Sequence, residues 1–172
     1  DHLKHLDSVL TKIHDAGLTL KLKKCCWAQP KILFLGHWIG SGTHTPNESK
    51  LDAVKLLMFP KTKKQMKQFV SLASYYRLYI ENFAYISHVL TECLKKNAPT
   101  TIKPTVELIQ AFEVLKEKLC HPPVLATANF SQPFMIQADS SDFAIGACLS
   151  QMRDGKEHPV AYFSKKLNDA QR

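Results

Sequence analysis

The chain has 172 residues, of which 45% are apolar and 22% are charged, and it carries a net charge of +8 at pH 7. These values are typical of a globular protein with one ordinary domain or two small ones. No run of about 18 apolar residues occurs, which excludes a membrane-spanning helix, and no signal-peptide pattern opens the chain. Because the sequence begins with Asp1, we expect it to be a piece of a longer polypeptide.

The positive charge is concentrated in the first part of the chain. Residues 1–70 hold twelve Lys and five acidic residues, which leaves +7. Residues 71–172 hold eleven Lys or Arg and ten acidic residues, which leaves +1. A strongly basic half favours a polyanionic partner such as nucleic acid, although a solvated basic face explains the charge equally well.

The five cysteines do not have the spacing of a metal site. Cys25 and Cys26 are adjacent, and the other three stand alone in apolar surroundings. We therefore expect reduced thiols that pack as small hydrophobic residues. Reduced thiols indicate an intracellular protein, cytoplasmic or nuclear, rather than a secreted one.

The first forty residues predict one helix and two strands. Apolar residues at helical spacing predict a helix over residues 2–15, closed by a glycine. Alternation over residues 18–23 predicts a half-buried strand. A second strand pattern covers residues 32–40 and is broken by Gly36, which indicates a bulge or a close backbone approach. His37 is equally well explained as a ligand contact or as a polar residue on a strand face.

A connector and three helices are predicted next. Residues 41–46 are rich in turn-forming side chains and predict the connector. A short helix is predicted to run to Met58, with a core face formed by Leu51, Val54, Leu57 and Met58. Thr62 and Gln65 form a capping-box pattern that starts the next helix. The apolar face of that helix is predicted to comprise Met66, Phe69, Val70, Ala73 and Tyr76. A further helix is predicted over residues 84–96.

Four lysines crowd the first turn of the helix that Thr62 caps, namely Lys61, Lys63, Lys64 and Lys67. Cations at this end oppose the positive pole of the helix dipole, so a phosphate contact explains them better than helix stability does. At the end of the same helix, Tyr75 and Arg77 form an aromatic–cation pair suited to stacking on bases and holding phosphate. Packing between helices explains Tyr76 at least as well.

The second half begins with a linker at residues 97–104, a candidate domain boundary. Residues 105–119 predict a helix with one apolar face, formed by Leu108, Phe112, Leu115 and Leu119. A short edge strand is predicted at residues 124–126. A three-stranded antiparallel meander is predicted over residues 133–164, and its second turn carries the hairpin signal Asp154-Gly155.

Several short motifs follow one another in a characteristic order. They include Gly17-Leu18-Thr19-Leu20, Phe34-Leu35-Gly36-His37, Tyr75-Tyr76-Arg77, Pro123-Val124-Leu125, Asp139-Ser140-Ser141-Asp142 and His158-Pro159-Val160-Ala161-Tyr162. In this order and spacing they resemble the Pol polyprotein of gypsy-type LTR retrotransposons and their retroviral relatives. The resemblance extends over nearly the whole chain.

The resemblance implies an α+β fold, with a palm-end hairpin and a helical thumb followed by the first antiparallel strands of an RNase H-like domain. Residues 1–45 would end the reverse transcriptase palm, and residues 46–96 would form the thumb. Residues 97–104 would be a linker, and residues 105–172 would hold the connection helix and the start of a truncated RNase H-like domain. The primer-grip hairpin, which positions the primer terminus, would be formed by Phe34, Leu35, Gly36 and His37.

The resemblance also assigns a metal-binding and catalytic role to Asp139, at the end of the first strand of the meander. In this family the corresponding aspartate binds Mg²⁺ in a two-ion site that activates water. A single Asp does not hold the pair, because Mg²⁺ requires several oxygen ligands. The family's remaining carboxylates and its Tyr-x-Asp-Asp polymerase motif do not occur in the chain, so we expect this fragment to be inactive by itself. A turn role explains Asp142 better.

Two functions follow from these observations. The first is a fragment of a retroelement RNA-directed DNA polymerase with RNase H, which binds an RNA–DNA hybrid or a template–primer duplex. The alternative is a domesticated or degenerate remnant that serves as a non-catalytic nucleic-acid or protein interaction module. Departures from the family pattern suit either function, such as Ser71 in place of Gly and Leu78 in place of a basic residue.

Overall fold

The computed structural model describes residues 1–142, 144–168 and 171, with the backbone but not the side chains of residues 48–51. It divides into two compact units, Asp1–Ile32 and Leu33–Arg172. The helices are α1 (His2–Asp15), α2 (Glu48–Lys55), α3 (Lys63–Tyr75), α4 (Phe83–Glu92) and α5 (Val106–Cys120). The strands are β1 (Lys31–Phe34), β2 (His37–Gly40), β3 (Thr43–Pro46), β4 (Leu125–Ala126), β5 (Met135–Ser140), β6 (Ala144–Arg153) and β7 (Lys156–Lys166). The predicted α+β fold class is confirmed.

Helix α1 has the predicted length and the predicted glycine stop. Gly17 has a φ of +67°. The N–H of Gly17 donates to the carbonyl of His14 at 2.9 Å, and the N–H of Leu18 donates to the carbonyl of Ile13 at 3.1 Å. These two bonds form a Schellman motif, which satisfies carbonyls that the end of a helix leaves without partners.

The strand predicted at residues 18–23 is wrong. This segment is a loop that leads into a 3₁₀ turn at Leu22–Lys24, and its side chains are exposed. Alternation alone does not make a strand, because a strand also requires a hydrogen-bonded neighbour. None of the described strands pairs with this segment.

One sheet has the strand order β1-β2-β3-β4, and its strands β2, β3 and β4 lie within the second unit. The predicted connector at residues 41–46 is wrong for Thr43–Pro46, which form β3 and pair antiparallel with β2. Only Ser41 and Gly42 form the turn, with φ of 50° and 71°. Positive φ at both central residues matches the twist of a two-residue hairpin. Strand β4 pairs with β3, which confirms the predicted edge strand.

Helix α2 is shorter than predicted. It ends at Lys55, and the N–H of Leu57 closes a turn onto the carbonyl of Val54 at 3.0 Å. Val54 is buried as predicted, but Leu57 is 38% exposed and Met58 is 84% exposed. The core prediction for these two residues is wrong because the chain leaves the helix before it reaches them. Leu51 lies outside the described side chains.

Helix α3 begins with the predicted capping box. The Thr62 hydroxyl accepts from the N–H of Gln65 at 3.3 Å, and the Gln65 side chain accepts from the N–H of Thr62 at 3.2 Å. The predicted apolar face is confirmed, since it is buried at Met66, Phe69, Val70, Ala73 and Tyr76. The ring of Phe69 packs against that of Phe112 on α5, with centroids 4.5 Å apart.

Helix α5 supplies the other side of this core. Its four predicted core residues are all buried, namely Leu108, Phe112, Leu115 and Leu119. The segment between α4 and α5 is tied to the start of α3: the N–H of Lys63 donates to Thr100, and the N–H of Ile102 donates to Lys61, both at 2.9 Å. Helix α4 ends at Glu92, before the predicted residue 96. The predicted domain boundaries stay predictions.

The predicted meander is confirmed as the antiparallel sheet β5-β6-β7. Asp139 lies opposite Gly146 in the register between β5 and β6. The turn between β6 and β7 uses Asp154 and Gly155, with φ of 50° and 72°, as the hairpin signal predicts.

Polar contacts join strand β7 to the helices. The Ser164 hydroxyl accepts from the N–H of Ala84 in the first turn of α4 at 2.8 Å. The N-cap residue of α4, Asn82, makes no side-chain capping bond, so Ser164 takes that role from another element. Arg77 donates to the carbonyl of Ser164, and the Lys166 ammonium lies 2.7 Å from a carboxylate oxygen of Glu92. These contacts fix the meander against the helical region.

The Glu92 contacts predict a pH dependence of stability. Hydrogen bonds from Lys166 and Lys95 lower the pKa of Glu92 from 4.5 to about 2. A carboxyl group whose pKa is lower in the folded protein than in the unfolded protein stabilises the fold at any pH above its unfolded pKa. This contribution is lost as the pH falls through the folded pKa. We expect Glu92→Gln to be less stable than the parent near neutral pH, with a difference that shrinks between pH 4.5 and about 2. Denaturant unfolding across this range measures the difference, and the matched control Glu113→Gln, at an exposed position of α5, should show no such convergence.

Candidate nucleic-acid interface

The turn between β1 and β2 forms a rigid, apolar tip, which we call the hairpin tip (Phe34, Leu35 and Gly36). Leu35 and Gly36 both have positive φ, at 48° and 82°. The carbonyl of Leu35 accepts from the Tyr75 hydroxyl, and the carbonyl of Gly36 accepts from the N–H of Asn47 at 2.9 Å. Phe34 and Leu35 are 53% and 71% exposed. The tip therefore presents two apolar side chains on a backbone that is held from two other elements.

His37 lies directly behind the hairpin tip, in a cluster of tyrosines. Its ring stacks on Tyr75 and Tyr79, with centroids 5.4 and 5.5 Å apart, and meets Tyr76 edge-on at 5.6 Å. The Tyr79 hydroxyl lies 3.0 Å from Nδ1 of His37 and 2.8 Å from Nδ1 of His44. His37 is half-buried, and its ring is engaged within the protein.

Burial favours the neutral forms of Tyr79 and His44 in this cluster. Burial raises the pKa of Tyr79 to about 12, with a smaller contribution from Tyr75 and Tyr76. Burial also lowers the pKa of His44, and charge on His37 lowers it further. A neutral phenol donates one hydrogen bond, and a neutral imidazole accepts one at its unprotonated nitrogen.

Helix α3 exposes a line of residues that ends beside the hairpin tip. The α3 stripe consists of Lys64, Lys67, Ser71 and Tyr75, at intervals of three or four residues on one helix face. All four are exposed, whereas the core face of α3 is buried. The stripe is about 16 Å long at about 1.5 Å per residue. It places two cations, a small hydroxyl and an aromatic ring in one row.

The predicted nucleic-acid residues fall into two groups in the structure. Lys61 is exposed like the two stripe lysines. Lys63 is partly buried and donates to the carbonyls of Lys95 and Ala98, near the end of α4. Arg77 donates to the carbonyl of Ser164. Sequence reasoning grouped these cations by spacing, but the fold uses Lys63 and Arg77 for contacts within the protein.

Asp139 lines a small cavity, which we call the Asp139 pocket. Asp139 is exposed on β5, and its carboxylate accepts the N–H of Ser140 at 2.8 Å. The pocket has a volume of about 190 Å³ and is also lined by Asn82, Tyr85 and Ser164. Sequence reasoning missed these three residues. No sequence signal joins them to Asp139, because the tertiary packing of α4 on the meander brings them together.

The side chains that line the Asp139 pocket include the oxygen ligands that Mg²⁺ prefers, but few of them are carboxylates. Its polar lining offers carboxylate, hydroxyl and amide oxygens, which suit Mg²⁺. Within the described part of the chain, no group of three or more His, Cys, Asp or Glu side chains lies close enough to hold a metal ion. The described residues therefore fit one corner of a metal site, with Asp139 as its carboxylate.

Comparison with known proteins places the chain beside retroelement Pol polyproteins. A family model described as the RNase H-like domain found in reverse transcriptase matches residues 105–172. The transposon Tf2-3 and Tf2-4 polyproteins of Schizosaccharomyces pombe are each 36% identical to the chain over 99% of its length. The chain is therefore similar to a segment of a retroelement Pol polyprotein, and its second half matches the RNase H-like domain. It spans 13% of the length of these two polyproteins.

Solved structures agree with the retroelement Pol fold. A foamy viral protease–reverse transcriptase in complex with RNA/DNA hybrid matches with a TM-score of 0.75, covering 99% of this chain and 23% of that one. The dRH form of the foamy viral protein, in complex with double-stranded DNA, matches with a TM-score of 0.76, covering 98% and 29%. Both are 23% identical to this chain, so the likeness establishes the fold alone.

Among the described residues, no helix has the length and apolar character that crossing a membrane requires.

The junction at Ser164 predicts a measurable loss of stability. Ser164→Ala removes the acceptor for the N–H of Ala84 at a nearly buried site, since Ser164 is 4% exposed. We expect a loss of about 1–3 kcal/mol in the free energy of unfolding, the cost of leaving a buried donor without a partner. Chemical denaturation measures the loss. Ser131→Ala, in an exposed turn, is the control and should change stability by no more than about 0.5 kcal/mol.

Proposed function

We propose that this Pol segment binds an RNA–DNA hybrid or a template–primer duplex along the α3 stripe and the hairpin tip. The observation that carries the proposal is the alignment of Lys64, Lys67 and Tyr75 on one exposed helix face that leads to the tip. The complexes of the foamy viral proteins with RNA/DNA hybrid and double-stranded DNA support it. The retroelement enzyme fits these observations better than a domesticated remnant, which no comparison favours.

The proposed contacts are made to the nucleic-acid backbone rather than to base edges. Lysines bind phosphate as flexible point charges, so Lys61, Lys64 and Lys67 give affinity without sequence preference. The small side chain of Ser71 leaves room for a sugar–phosphate backbone to approach the helix. Tyr75 adds an aromatic surface, 52% exposed, that suits stacking on a sugar or a base.

The hairpin tip has a different proposed task. Phe34 and Leu35 present apolar surface, and hydrogen bonds to the carbonyls of Leu35 and Gly36 hold the backbone, which suits positioning a strand terminus. His37 supports the tip from behind through its ring contacts. Lys63 and Arg77 stay predicted nucleic-acid contacts, and their bonds within the protein supply a reason for their presence that needs no phosphate.

Proteins with this RNase H-like domain generally use a divalent metal. We propose that Asp139 would hold one Mg²⁺ when further carboxylates complete the site. The ion would supply Lewis acidity and an activated water for cleavage of the RNA strand. The contribution of this chain is the Asp139 carboxylate, which lines the pocket and accepts the N–H of Ser140. We further propose that the whole polyprotein is an RNA-directed DNA polymerase with RNase H, located in the cytoplasm or the nucleus.

The α3 stripe predicts a change in salt dependence. We expect the double variant Lys64→Gln, Lys67→Gln to bind an RNA–DNA hybrid more weakly than the parent. The slope of log affinity against log salt should become shallower by about 1.8, because each phosphate contact contributes about 0.9. Fluorescence anisotropy over a salt series measures both quantities.

Two other lysines provide a charge-matched control for the stripe. Lys118→Gln, Lys156→Gln removes the same charge from α5 and from the first residue of β7, and it should leave the slope nearly unchanged. If both double variants lowered the slope equally, the basic charge would act as a diffuse field, and the stripe would not be the binding surface. An affinity of the parent that is insensitive to salt would contradict the proposal altogether.

Asp139 and Asp142 form a matched pair for testing the metal role. In a polyprotein that contains this segment and its downstream carboxylates, we expect Asp139→Asn to lower Mg²⁺-dependent cleavage of a hybrid by at least about 10²-fold. Asp142→Asn should cleave at nearly the parental rate. Hybrid affinity measured in parallel should stay unchanged, which separates a catalytic defect from a binding defect. Equal cleavage by the two variants would remove Asp139 from the mechanism.

A further inference from the structure

The Tyr79 hydroxyl joins two strands to the end of helix α3. Tyr79 ends a 3₁₀ turn, Arg77–Tyr79, which begins two residues after the end of α3. Its side chain is 4% exposed. Its oxygen lies within hydrogen-bond distance of His37 on β2 and of His44 on β3. One phenol therefore ties two strands of the sheet to the helical region, and we call this arrangement the His–Tyr–His bridge (His37, Tyr79 and His44).

The number of protons in the bridge is fixed by the chemistry of the three groups. A phenol has one hydrogen to donate, and a neutral imidazole donates from one nitrogen and accepts at the other. Both imidazoles approach Tyr79 through Nδ1, so one of them donates to the phenol oxygen and the other accepts the phenol hydrogen. Protonation of the accepting histidine converts its Nδ1 to a donor. The phenol then loses its acceptor, and a cation is added to a half-buried site.

Other polar groups surround the bridge on each packed element. Tyr75 and Tyr76, at the end of α3, both raise the pKa of Tyr79. Burial and the charge of His37 lower the pKa of His44. A backbone hydrogen bond with Val160 on β7 raises it. Burial and the second histidine thus both oppose a positive charge within the bridge.

The bridge is connected to the hairpin tip by a short path. His37 immediately follows Gly36, the last residue of the tip. The ring of His37 also stacks on Tyr75, whose hydroxyl donates to the carbonyl of Leu35. A shift of His37 therefore disturbs both the backbone and the hydrogen bond that hold the tip.

We propose that Tyr79 is a positioning residue, which orients the hairpin tip through His37 and His44, and that His44 accepts the phenol hydrogen, so that the tip is released when acid protonates His44. The inference rests on the proposed function, because the tip is taken to contact nucleic acid. It predicts that affinity for a duplex falls in mild acid. The net charge of the protein alone predicts that affinity rises in acid, because protonation of the eight histidines adds positive charge and strengthens phosphate binding.

The experiment measures affinity for a short RNA–DNA hybrid from about pH 8 to about pH 5.5, across the range in which histidine titrates, at constant ionic strength. We expect the affinity of the parent to fall by about 3- to 10-fold, the value of one hydrogen bond. His44→Gln keeps a hydrogen-bonding side chain but does not titrate, so its affinity should not fall. Tyr79→Phe keeps the ring stacking, should bind more weakly at about pH 8 and should not lose further affinity in acid. The control His158→Gln, at an exposed site on β7, should behave like the parent.

A second measurement tests the tip without nucleic acid. The N–H of Asn47 bonds to the carbonyl of Gly36 and reports on the tip directly. We expect its protection from hydrogen exchange, corrected for the intrinsic rate, to fall in acid in the parent but not in His44→Gln. Unchanged protection, or an affinity that rises in acid as much in the parent as in His44→Gln, would overturn the inference while leaving the duplex-binding proposal intact. A loss of protection in a parent that binds no duplex would support the bridge and refute the proposed function.

Discussion

Burial of one face of helix α3 is the constraint on which both candidate surfaces depend. The contact between Phe69 and Phe112 fixes the rotation of α3 about its axis. Once the apolar face is inside, geometry places the α3 stripe outside, and Tyr75 is carried to the hairpin tip. The capping box at Thr62 sets where the helix begins and hence where the lysines lie along it. A hydrophobic contact thus determines the position of a basic surface.

The junction between the helices and the meander plays a similar part for Asp139. Ser164 caps helix α4 from another strand and accepts from Arg77, and Lys166 pairs with Glu92. These are polar contacts, so they fix orientation and distance more sharply than apolar packing does. They place Asn82 and Tyr85 beside Asp139, although neither lies near it in sequence. In a Pol segment proposed to hold a duplex, such a junction would hold the Asp139 pocket at a fixed distance and orientation from the α3 stripe.

Sequence patterns predicted the helices and turns well where residues close in sequence determine the structure. The apolar faces of α3 and α5, the Thr62 capping box and the Asp154-Gly155 turn were all confirmed, because each depends on residues close in sequence. Alternation failed at residues 18–23, where no described strand pairs with the segment. The pattern also failed at Thr43–Pro46, where pairing with β2 and β4 made a strand of a turn-rich sequence. Strands depend on distant partners, which a local pattern does not contain.

The sequence by itself determined the resemblance to retroelement Pol polyproteins, the basic character of the first part of the chain and the choice of Asp139 as the candidate metal ligand. Motif order and charge are properties of the chain and do not depend on how it folds. Only the tertiary structure decided which cations face outward and which bind carbonyl groups, as Lys64 and Lys63 illustrate. It also decided that His37 and His44 share one phenol with Tyr79. These residues are brought together by packing across the core, and burial lowers the pKa of His44 and raises that of Tyr79.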